Sequence, residues 1–217
     1  GEKTLYVLVP GFLEKGNVFA HQELPRGVKV FRYNSLKDVR QSGEKLSRFI
    51  SGLNMPEKIR VIGRSEGGLV ARWAIQAEGA DSYVKLLATI GTPHQGTGFA
   101  QLSKIIPKKE IISGISRYLA EKLDISACYQ MLPNSDFLNE LNSLSLGKLE
   151  KALNIYTESF DELIWPHENA IWPYKGTDEK VINLKIKGIN GHARLLYSVE
   201  VWNEIKKALK IDNIQKK

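Results

Sequence analysis

The 217-residue sequence has very little cysteine and no long apolar run. Its one cysteine, Cys128, excludes an intramolecular disulfide and a metal site built from several cysteines. The longest apolar runs, such as residues 5–9, are far shorter than a membrane-spanning helix. Internal repeats, low-complexity tracts and linkers rich in proline, glycine and serine are also lacking. We therefore expect one domain over residues 1–217.

The sequence also lacks a strong excess of one charge. Its 31 Lys and Arg against 24 Asp and Glu give a net charge of +7, with both signs interspersed. No basic motif with interleaved aromatic residues is present, so we expect no nucleic-acid partner. The surplus is best explained as a solvated basic face, with transient contact to an anionic lipid interface as the alternative. The first residues, Gly1-Glu2-Lys3, do not begin a signal peptide, which favours the cytoplasm, although an initial glycine leaves open a signal peptide that has been removed.

Short apolar runs alternate with helical patterns through most of the chain. This alternation is typical of βαβ units and of a parallel sheet buried on both faces. Strands are predicted at residues 4–9, 28–33, 59–62, 84–90, 153–157 and 181–186, each rich in Val, Ile, Leu or Tyr. The predicted fold class is α/β: a mostly parallel six-stranded sheet with helices on both faces.

One helix is predicted after Ser35, which together with Asp38 three residues later forms a signal for a helix N-terminus. Two more helices are predicted at residues 68–76 and 199–209. Residues 99–150 interrupt the alternation, because no convincing strand is found there. Within them, one helix face carries the apolar residues Ile112, Ile115, Leu119 and Leu123. We interpret this stretch as a helical insertion, either an ordinary core-facing helix or a mobile lid over a binding site.

The sequence Gly63-Arg64-Ser65-Glu66-Gly67 has the pattern G-x-S-x-G between a predicted strand and a predicted helix. A serine hydroxyl is a weak nucleophile and must be held out from the backbone on a sharp strand-to-helix turn. Small residues two positions to either side let the strand and the helix approach. The helix that follows directs its N-terminal N–H groups towards developing negative charge. Ser65 is therefore the candidate nucleophile, the alternative being a glycine-rich structural turn.

A nucleophilic serine needs a general base and a carboxylate that orients it. The chain has four histidines. His21 is interpreted as a loop residue, His94 lies too early for the order Ser, acid, His, and His167 is a possible pocket wall. His192 lies between the last strand and the last helix, where the general base lies in enzymes with a nucleophilic serine on a strand-to-helix turn. It is the predicted base by elimination and by position.

The acid is expected in the loop after the strand at residues 153–157, which offers Glu158, Asp161 and Glu162. Asp161 is favoured because it follows the strand closely and precedes an apolar stretch that can pack the loop down. Asp178 is a more distant alternative, since it precedes the next strand and therefore lies at the opposite end of the sheet.

With these segments the sequence resembles the α/β-hydrolases, among them the compact lipases and carboxylesterases. The resemblance spans nearly the whole chain. It rests on the segment around Ser65 and on residues 7–12, 67–72, 89–96, 131–138 and 191–198, in the family's order. It implies a reduced sheet without the two leading strands of larger relatives, and an oxyanion hole formed by the backbone N–H groups of Phe12 and Glu66. For Glu66 the residues agree, since it follows the nucleophile at a helix start.

Two positions depart from the family pattern. Pro10 stands where a histidine is common, and Glu66 places a carboxylate beside the oxyanion site. If the Glu66 side chain points inward, its carboxylate would oppose the developing charge, whereas pairing with Arg64, Arg72 or another cation would turn it aside.

The predicted function is a serine hydrolase that cleaves carboxylic esters of acyl chains through an acyl-enzyme, without a metal or organic cofactor. A thioesterase, amidase or acyltransferase with the same three residues is an alternative, and an inactive lipid- or protein-binding module is another. Candidate walls of the substrate pocket, which otherwise are ordinary core positions, are Leu13, Phe99, Ile105 and Trp165.

Overall fold

The computed structural model of the chain describes residues 4–22, 24, 27–55, 58–98, 125–176 and 179–210. These residues form six strands and six α-helices. The strands are β1 (Leu5–Val9), β2 (Val28–Val30), β3 (Ile59–Arg64), β4 (Val84–Ile90), β5 (Lys151–Thr157) and β6 (Val181–Ile186). The helices are α1 (Val39–Gly52), α2 (Glu66–Gln76), α3 (Ser126–Gln130), α4 (Asp136–Ser143), α5 (His192–Tyr197) and α6 (Val199–Ala208). Short 3₁₀ turns lie at Gly16–Phe19, Ala80–Ser82 and His167–Ala170.

The six strands form one sheet in the order β2-β1-β3-β4-β5-β6, and all neighbouring pairs run parallel. The predicted parallel α/β sheet is therefore confirmed. Because all strands point the same way, the loops after β1, β3, β5 and β6 emerge at one edge of the sheet. This edge carries the candidate catalytic residues Ser65, Asp161 and His192.

Successive side chains of a strand point to opposite faces of a sheet, and β1 is buried on both. On one face Leu5, Val7 and Val9 pack in the core with residues of α1 to α4. On the other face Tyr6 and Leu8 pack with residues of α5 and α6. Helices therefore cover both faces, as the apolar composition of the strands predicted.

Several boundaries differ from the prediction: β3 and β5 are each two residues longer, and three further differences bear on the loops around Ser65. Strand β2 ends at Val30, after which the Tyr33 hydroxyl donates to the carbonyl of Pro10 (2.7 Å). Helix α1 begins at Val39, because the Asp38 carboxylate accepts from the N–H of Arg40 (2.7 Å) and caps the helix. Helix α2 begins at Glu66, two residues earlier than predicted, since Ser65 occupies its N-cap position.

Residues 125–150 contain α3 and α4 and no strand, in agreement with the sequence pattern. The predicted helix face at residues 112–123 lies outside the described residues, and so does the rest of the proposed insertion from 99 to 124. Over the ranges given above, no helix has the length and apolar character needed to cross a membrane.

Candidate active site

Ser65 lies on a sharp turn between β3 and α2, with a φ of 51° and a ψ of −126°. The turn brings α2 so close to β1 and β3 that side chains do not fit at the flanking glycines. A Cβ on Gly63 would lie 2.6 Å from the Cα of Gly68, and one on Gly67 would lie 2.2 Å from the carbonyl oxygen of Val9. These distances explain why the pattern needs glycine at both positions.

Ser65, Asp161 and His192 come together at the carboxyl edge of the sheet, although 127 residues separate the serine from the histidine. The Ser65 Oγ lies 3.0 Å from His192 Nε2. The other ring nitrogen, Nδ1, lies 2.9 and 3.1 Å from the two carboxylate oxygens of Asp161. All three side chains are buried or nearly so.

The loop that carries Asp161 is fixed by its own backbone. The N–H groups of Leu163 and Ile164 donate to Asp161 Oδ1 (2.9 and 3.0 Å). Burial by itself would raise the pKa of Asp161, but the His192 contact and these two N–H groups hold it below its usual value. The carboxylate therefore stays ionised and fixes the ring with its proton on Nδ1.

The loop after β1 packs against the nucleophile. A Cβ on Gly11 would lie 2.8 Å from the Cβ of Ser65, and the Gly11 N–H donates to Glu14 Oε2 (2.8 Å). The next turn is held by Ser35, whose Oγ accepts from the N–H of Leu13 (2.8 Å). Ser35 thus supports this loop instead of marking the start of α1.

The two N–H groups predicted to form an oxyanion hole lie on elements that flank Ser65. Phe12 belongs to the loop after β1, and Glu66 is the first residue of α2. Within the described part of the chain, neither backbone N–H donates a hydrogen bond to another residue. Both donors are therefore available to a ligand.

The Glu66 side chain is fully buried, and neither of its carboxylate oxygens has a hydrogen-bond partner among the described residues. Neither Arg64 nor Arg72 pairs with it, because both guanidinium groups are bound elsewhere. Arg72 bonds to residues of α4 and the loop after β4. Burial, and to a smaller degree the Glu14 carboxylate, raise the pKa of Glu66 well above its ordinary value. Its environment favours the neutral acid.

Arg64 and Glu14 contribute to the site in a way that the sequence analysis missed. Arg64 Nη1 lies 2.8 Å from His192 Nε2, and Nη2 donates to the carbonyl of His192 (3.0 Å). Arg64 Nε lies 3.5 Å from Glu14 Oε1. The sequence did contain a signal: a long cation, Arg64, at the end of a strand and directly before the candidate nucleophile.

Glu162 also contacts the site, although not as the acid. Its Oε2 accepts from the backbone N–H of His192 (2.9 Å). This bond and that from the Gly191 N–H to the Phe160 carbonyl (2.8 Å) tie the loop after β6 to the loop after β5. Glu158 lies on the same loop but pairs with Lys185 (3.0 Å), and Asp178 lies outside the described residues.

The other three histidines contact other residues in the described structure, and none of them is hydrogen-bonded to Ser65. His21 contacts the carbonyl of Leu196 (3.0 Å) and the ring of Tyr197. His94 is fully buried and bonds to Arg72. His167 lies 3.5 Å from Glu168.

Two of the four predicted pocket walls are described. Leu13 and Trp165 are 43% and 48% exposed, on the loops that carry Phe12 and Asp161, so neither is a core residue. Phe99 and Ile105 lie outside the described residues. In the described ranges, no group of three or more His, Cys, Asp and Glu residues is arranged to hold a metal ion.

No protein-family model and no curated protein matches the sequence. Solved structures do match. A mature lipase from Bacillus licheniformis superposes with a TM-score of 0.70 at 17% identity, over 95% of this chain and 92% of that one. Lipase B from Aspergillus fumigatus has a TM-score of 0.69 at 20% identity, over 99% of this chain and 54% of that one. A type II thioesterase of the yersiniabactin NRPS/PKS biosynthetic pathway has a TM-score of 0.63 at 15% identity, over 95% of this chain and 93% of that one. The chain has the α/β-hydrolase fold that these proteins share.

Proposed function

We propose that the protein is a serine hydrolase that cleaves carboxylic esters of acyl chains. The observation that carries this proposal is the hydrogen-bonded series from Ser65 Oγ to His192 Nε2 (3.0 Å) and from Nδ1 to the Asp161 carboxylate (2.9 Å). A serine so placed has a base to take its proton, and the base has a carboxylate to stabilise its charged form. The fold shared with lipases supports the same chemistry.

In the proposed reaction, His192 Nε2 takes the Ser65 proton while Oγ attacks the ester carbonyl carbon. The tetrahedral oxyanion accepts hydrogen bonds from the N–H groups of Phe12 and Glu66. The C–O bond to the alcohol then breaks, and Nε2–H protonates the leaving oxygen. Water is next deprotonated by Nε2 and attacks the acyl-serine, which releases the acid and returns the proton to Oγ. Asp161 orients the ring throughout.

The buried Glu66 carboxyl is compatible with this reaction. A carboxylate beside the oxyanion would raise the barrier by repulsion, but burial raises the pKa of Glu66 and so favours a neutral acid. The raised pKa of Glu66 therefore reduces the charge that this departure from the family pattern would bring into the site.

The exposed apolar side chains support an acyl substrate. Phe160 precedes Asp161, is 53% exposed, and its ring lies 5.8 Å from the ring of Trp165. Large exposed apolar side chains on the loops that carry reactive groups are a common mark of an apolar ligand site. We propose that Leu13 and Trp165 contact the acyl chain of the ester.

The test is hydrolysis of p-nitrophenyl esters of increasing acyl length by the wild-type chain and by Ser65→Ala. We expect kcat to fall about 10³-fold or more in Ser65→Ala. Ser51→Ala is the matched control, because the Ser51 hydroxyl bonds only within α1, to the carbonyl of Arg48. Hydrolysis that survives undiminished in Ser65→Ala contradicts the proposal. If the wild-type chain neither hydrolyses the esters nor reacts with a fluorophosphonate at Ser65, the hydrolase proposal is replaced by that of an inactive binding module.

Thioesters are the second candidate substrates, because a thioesterase is among the structures with this fold. The same acyl group is then presented as an ester, a thioester and an amide. We expect kcat/KM to be highest for the ester, and a higher value for the thioester moves the proposal to that class.

A further inference from the structure

The Arg64 guanidinium contacts the ring nitrogen that has to accept the serine proton. Arg64 Nη1 lies 2.8 Å from His192 Nε2, which also lies 3.0 Å from Ser65 Oγ. Arginine has only donors and remains protonated in proteins. The contact therefore requires an unprotonated Nε2, which leaves the ring proton on Nδ1, facing Asp161.

Two contacts hold Arg64 in this position, and a third side of its guanidinium faces a glycine. Its Nη2 donates to the carbonyl of His192 (3.0 Å), and its Nε lies 3.5 Å from Glu14 Oε1. Glu14 is itself held by the N–H of Gly11 (2.8 Å). On the last side, a Cβ on Gly91 would lie 3.1 Å from Arg64 Nη1 and 3.2 Å from His192 Cε1. The absence of a side chain at Gly91 leaves the space in which cation and ring meet.

The arrangement has an electrostatic consequence because the guanidinium is buried. The Arg64 side chain is 2% exposed, so water screens its charge poorly. When His192 accepts a proton at Nε2, the new N–H can donate to Ser65 Oγ, but Nε2 can no longer accept from Arg64, and two cationic donors then lie 2.8 Å apart. The neutral ring is favoured, and proton transfer from Ser65 requires Nη1 to release Nε2.

We propose that Arg64 is a positioning residue of the active site: with Glu14 behind it, the guanidinium donates to His192 Nε2, fixes the tautomer and keeps the base neutral in acidic solution. The inference rests on the proposed function for its catalytic meaning. Burial and the Arg64 charge lower the pKa of His192 against the opposing effect of Asp161. Glu14 opposes Arg64 and sets how strongly the cation acts on the ring.

In the described part of the chain, five charged or titratable groups surround the His192 ring and its contact with Arg64. They come from the loop after β1, from β3, from the loop after β5 and from α5, and they are Glu14, Arg64, Asp161, Glu162 and Tyr197. Asp161 and Glu162 stay constant in the variants below. A shift in the titration of His192 therefore reports on Arg64 and Glu14.

The test is NMR titration of the His192 ring in the full chain, with the resonance assigned from its loss in His192→Asn. Arg64→Gln removes the charge but keeps a donor, and we expect it to move the His192 titration up by about one pH unit or more. Glu14→Gln leaves the cation unbalanced, and we expect a downward shift. Arg64→Lys retains the charge and should stay near the wild type. Arg48→Gln, at an exposed arginine on α1, should leave the titration unchanged.

Opposite shifts in Arg64→Gln and Glu14→Gln support the proposal, and the acidic limb of kcat/KM should move in the same two directions. Shifts of the same sign, or no shift in either folded variant, overturn it and leave Arg64 as a packing residue. The NMR readout does not depend on turnover. If ester hydrolysis is absent while the two opposite shifts are present, the proposed reaction fails and the pairing of Arg64 with His192 stands.

Discussion

Glu66 is the residue whose environment is least expected from its type. A carboxylate is rarely buried without a partner, because its ionised form loses the hydration that stabilises it. Here both oxygens are buried without a hydrogen-bond partner in the described structure. Burial and the Glu14 charge accordingly raise the pKa of Glu66 above the ordinary 4.5. A protein that keeps this carboxyl neutral also keeps repulsive charge away from the adjacent oxyanion site.

The raised pKa of Glu66 predicts how stability changes with pH. Above pH 4.5 the unfolded chain releases the Glu66 proton while the folded chain retains it. The unfolding free energy therefore falls as pH rises from 4.5 towards the raised pKa. Glu66→Gln does not titrate, so we expect it to be more stable than the wild type by about 1–3 kcal/mol at neutral pH, with the difference vanishing below pH 4.5.

Urea unfolding at a series of pH values measures this difference. Glu150→Gln is the control, because Glu150 is exposed and its pairing with Lys85 is a surface ion pair of small effect. A Glu66→Gln chain that is less stable than the wild type at neutral pH contradicts a neutral buried acid. It would indicate that Glu66 is ionised and bound to a cation.

At the scale of elements, the turn between β3 and α2 depends on close backbone contact. The Ser65 carbonyl accepts from the Thr92 hydroxyl (2.8 Å), and the Ser65 N–H donates to the carbonyl of Ile90 (2.9 Å). Helix α2 thus begins against β4, and at Gly67 it also approaches β1 so closely that only glycine fits. The turn holds Ser65 at a positive φ that non-glycine residues seldom adopt.

Gly67→Ala is expected to disrupt this turn. Its Cβ would lie 2.2 Å from the carbonyl oxygen of Val9 and 2.5 Å from that of Pro10. Backbone atoms cannot move aside as a flexible side chain can, so we expect a loss of about 3 kcal/mol in unfolding free energy. The loop after β1 also has to shift, so kcat should fall in the molecules that remain folded.

Gly52→Ala is the matched control for this substitution. Gly52 is the last residue of α1, and nothing lies within 4 Å of the Cβ that alanine would add there. Alanine should stabilise the helix by about 0.5 kcal/mol. Thermal unfolding of both variants checks the pair. A Gly67→Ala chain that unfolds at the wild-type temperature and keeps its activity would falsify the close-contact explanation of this glycine.

The elements were predictable where the sequence pattern is local. Runs of Val, Ile and Leu predicted all six strands, and the elbow pattern with strand and helix on either side predicted the turn at Ser65. The ends of the helices were less predictable, because two neighbouring residues can both be suited to cap the same helix. Ser35 and Asp38 are both good N-caps, and only the folded loop shows that Ser35 accepts from Leu13 while Asp38 caps α1.

The residues around Ser65 were predictable in chain order but not in side-chain direction. Parallel strands bring their carboxyl ends together, so Ser65, Asp161 and His192 were expected at one edge and are within hydrogen-bonding distance there. Arg64 and Glu66 flank the serine, and the local sequence does not determine which carboxylate pairs with the guanidinium group of an arginine. The structure pairs Arg64 with Glu14, fifty positions away, and leaves Glu66 buried.

At the scale of the whole molecule, Arg72 joins elements that are distant in sequence. It extends from α2 and is fully buried, with no carboxylate bonded to it among the described residues. Arg72 Nη1 donates to Asn142 Oδ1 (2.9 Å), Nη2 to the carbonyl of Leu141 (3.3 Å), and the guanidinium lies 4.1 Å from the centre of the Trp172 ring. One side chain thus connects α2, α4 and the segment between β5 and β6.

His94 extends these contacts to the sheet. Arg72 Nη1 also lies 3.1 Å from His94 Nδ1, so Nδ1 accepts and the ring proton is on Nε2, which donates to Asn154 Oδ1 on β5 (3.0 Å). Asn154 Nδ2 donates in turn to Asn183 Oδ1 on β6 (2.8 Å). Burial and the Arg72 charge lower the pKa of His94 well below its ordinary value, which keeps this ring neutral.

Removing Arg72 tests whether these contacts stabilise the whole molecule. Each hydrogen bond to a charged group contributes about 1.5–3 kcal/mol, whereas burying the charge costs several kcal/mol in total. Arg72 donates to four different side chains and backbone groups, so the hydrogen bonds outweigh the cost. We expect Arg72→Met to lower the unfolding free energy by about 3 kcal/mol, because it leaves several buried acceptors without donors.

Urea unfolding followed by two probes decides this case. Because Arg72 connects α2, α4 and the segment between β5 and β6, Trp fluorescence and far-ultraviolet circular dichroism should shift together, which indicates loss of global stability and not of one loop. Arg48→Met, at an exposed position, should change the unfolding free energy by less than about 0.5 kcal/mol. If Arg72→Met is instead as stable as the wild type or more so, the cost of burying the cation exceeds the hydrogen bonds. Arg72 would then be retained for the orientation of His94 and α4 at the expense of stability.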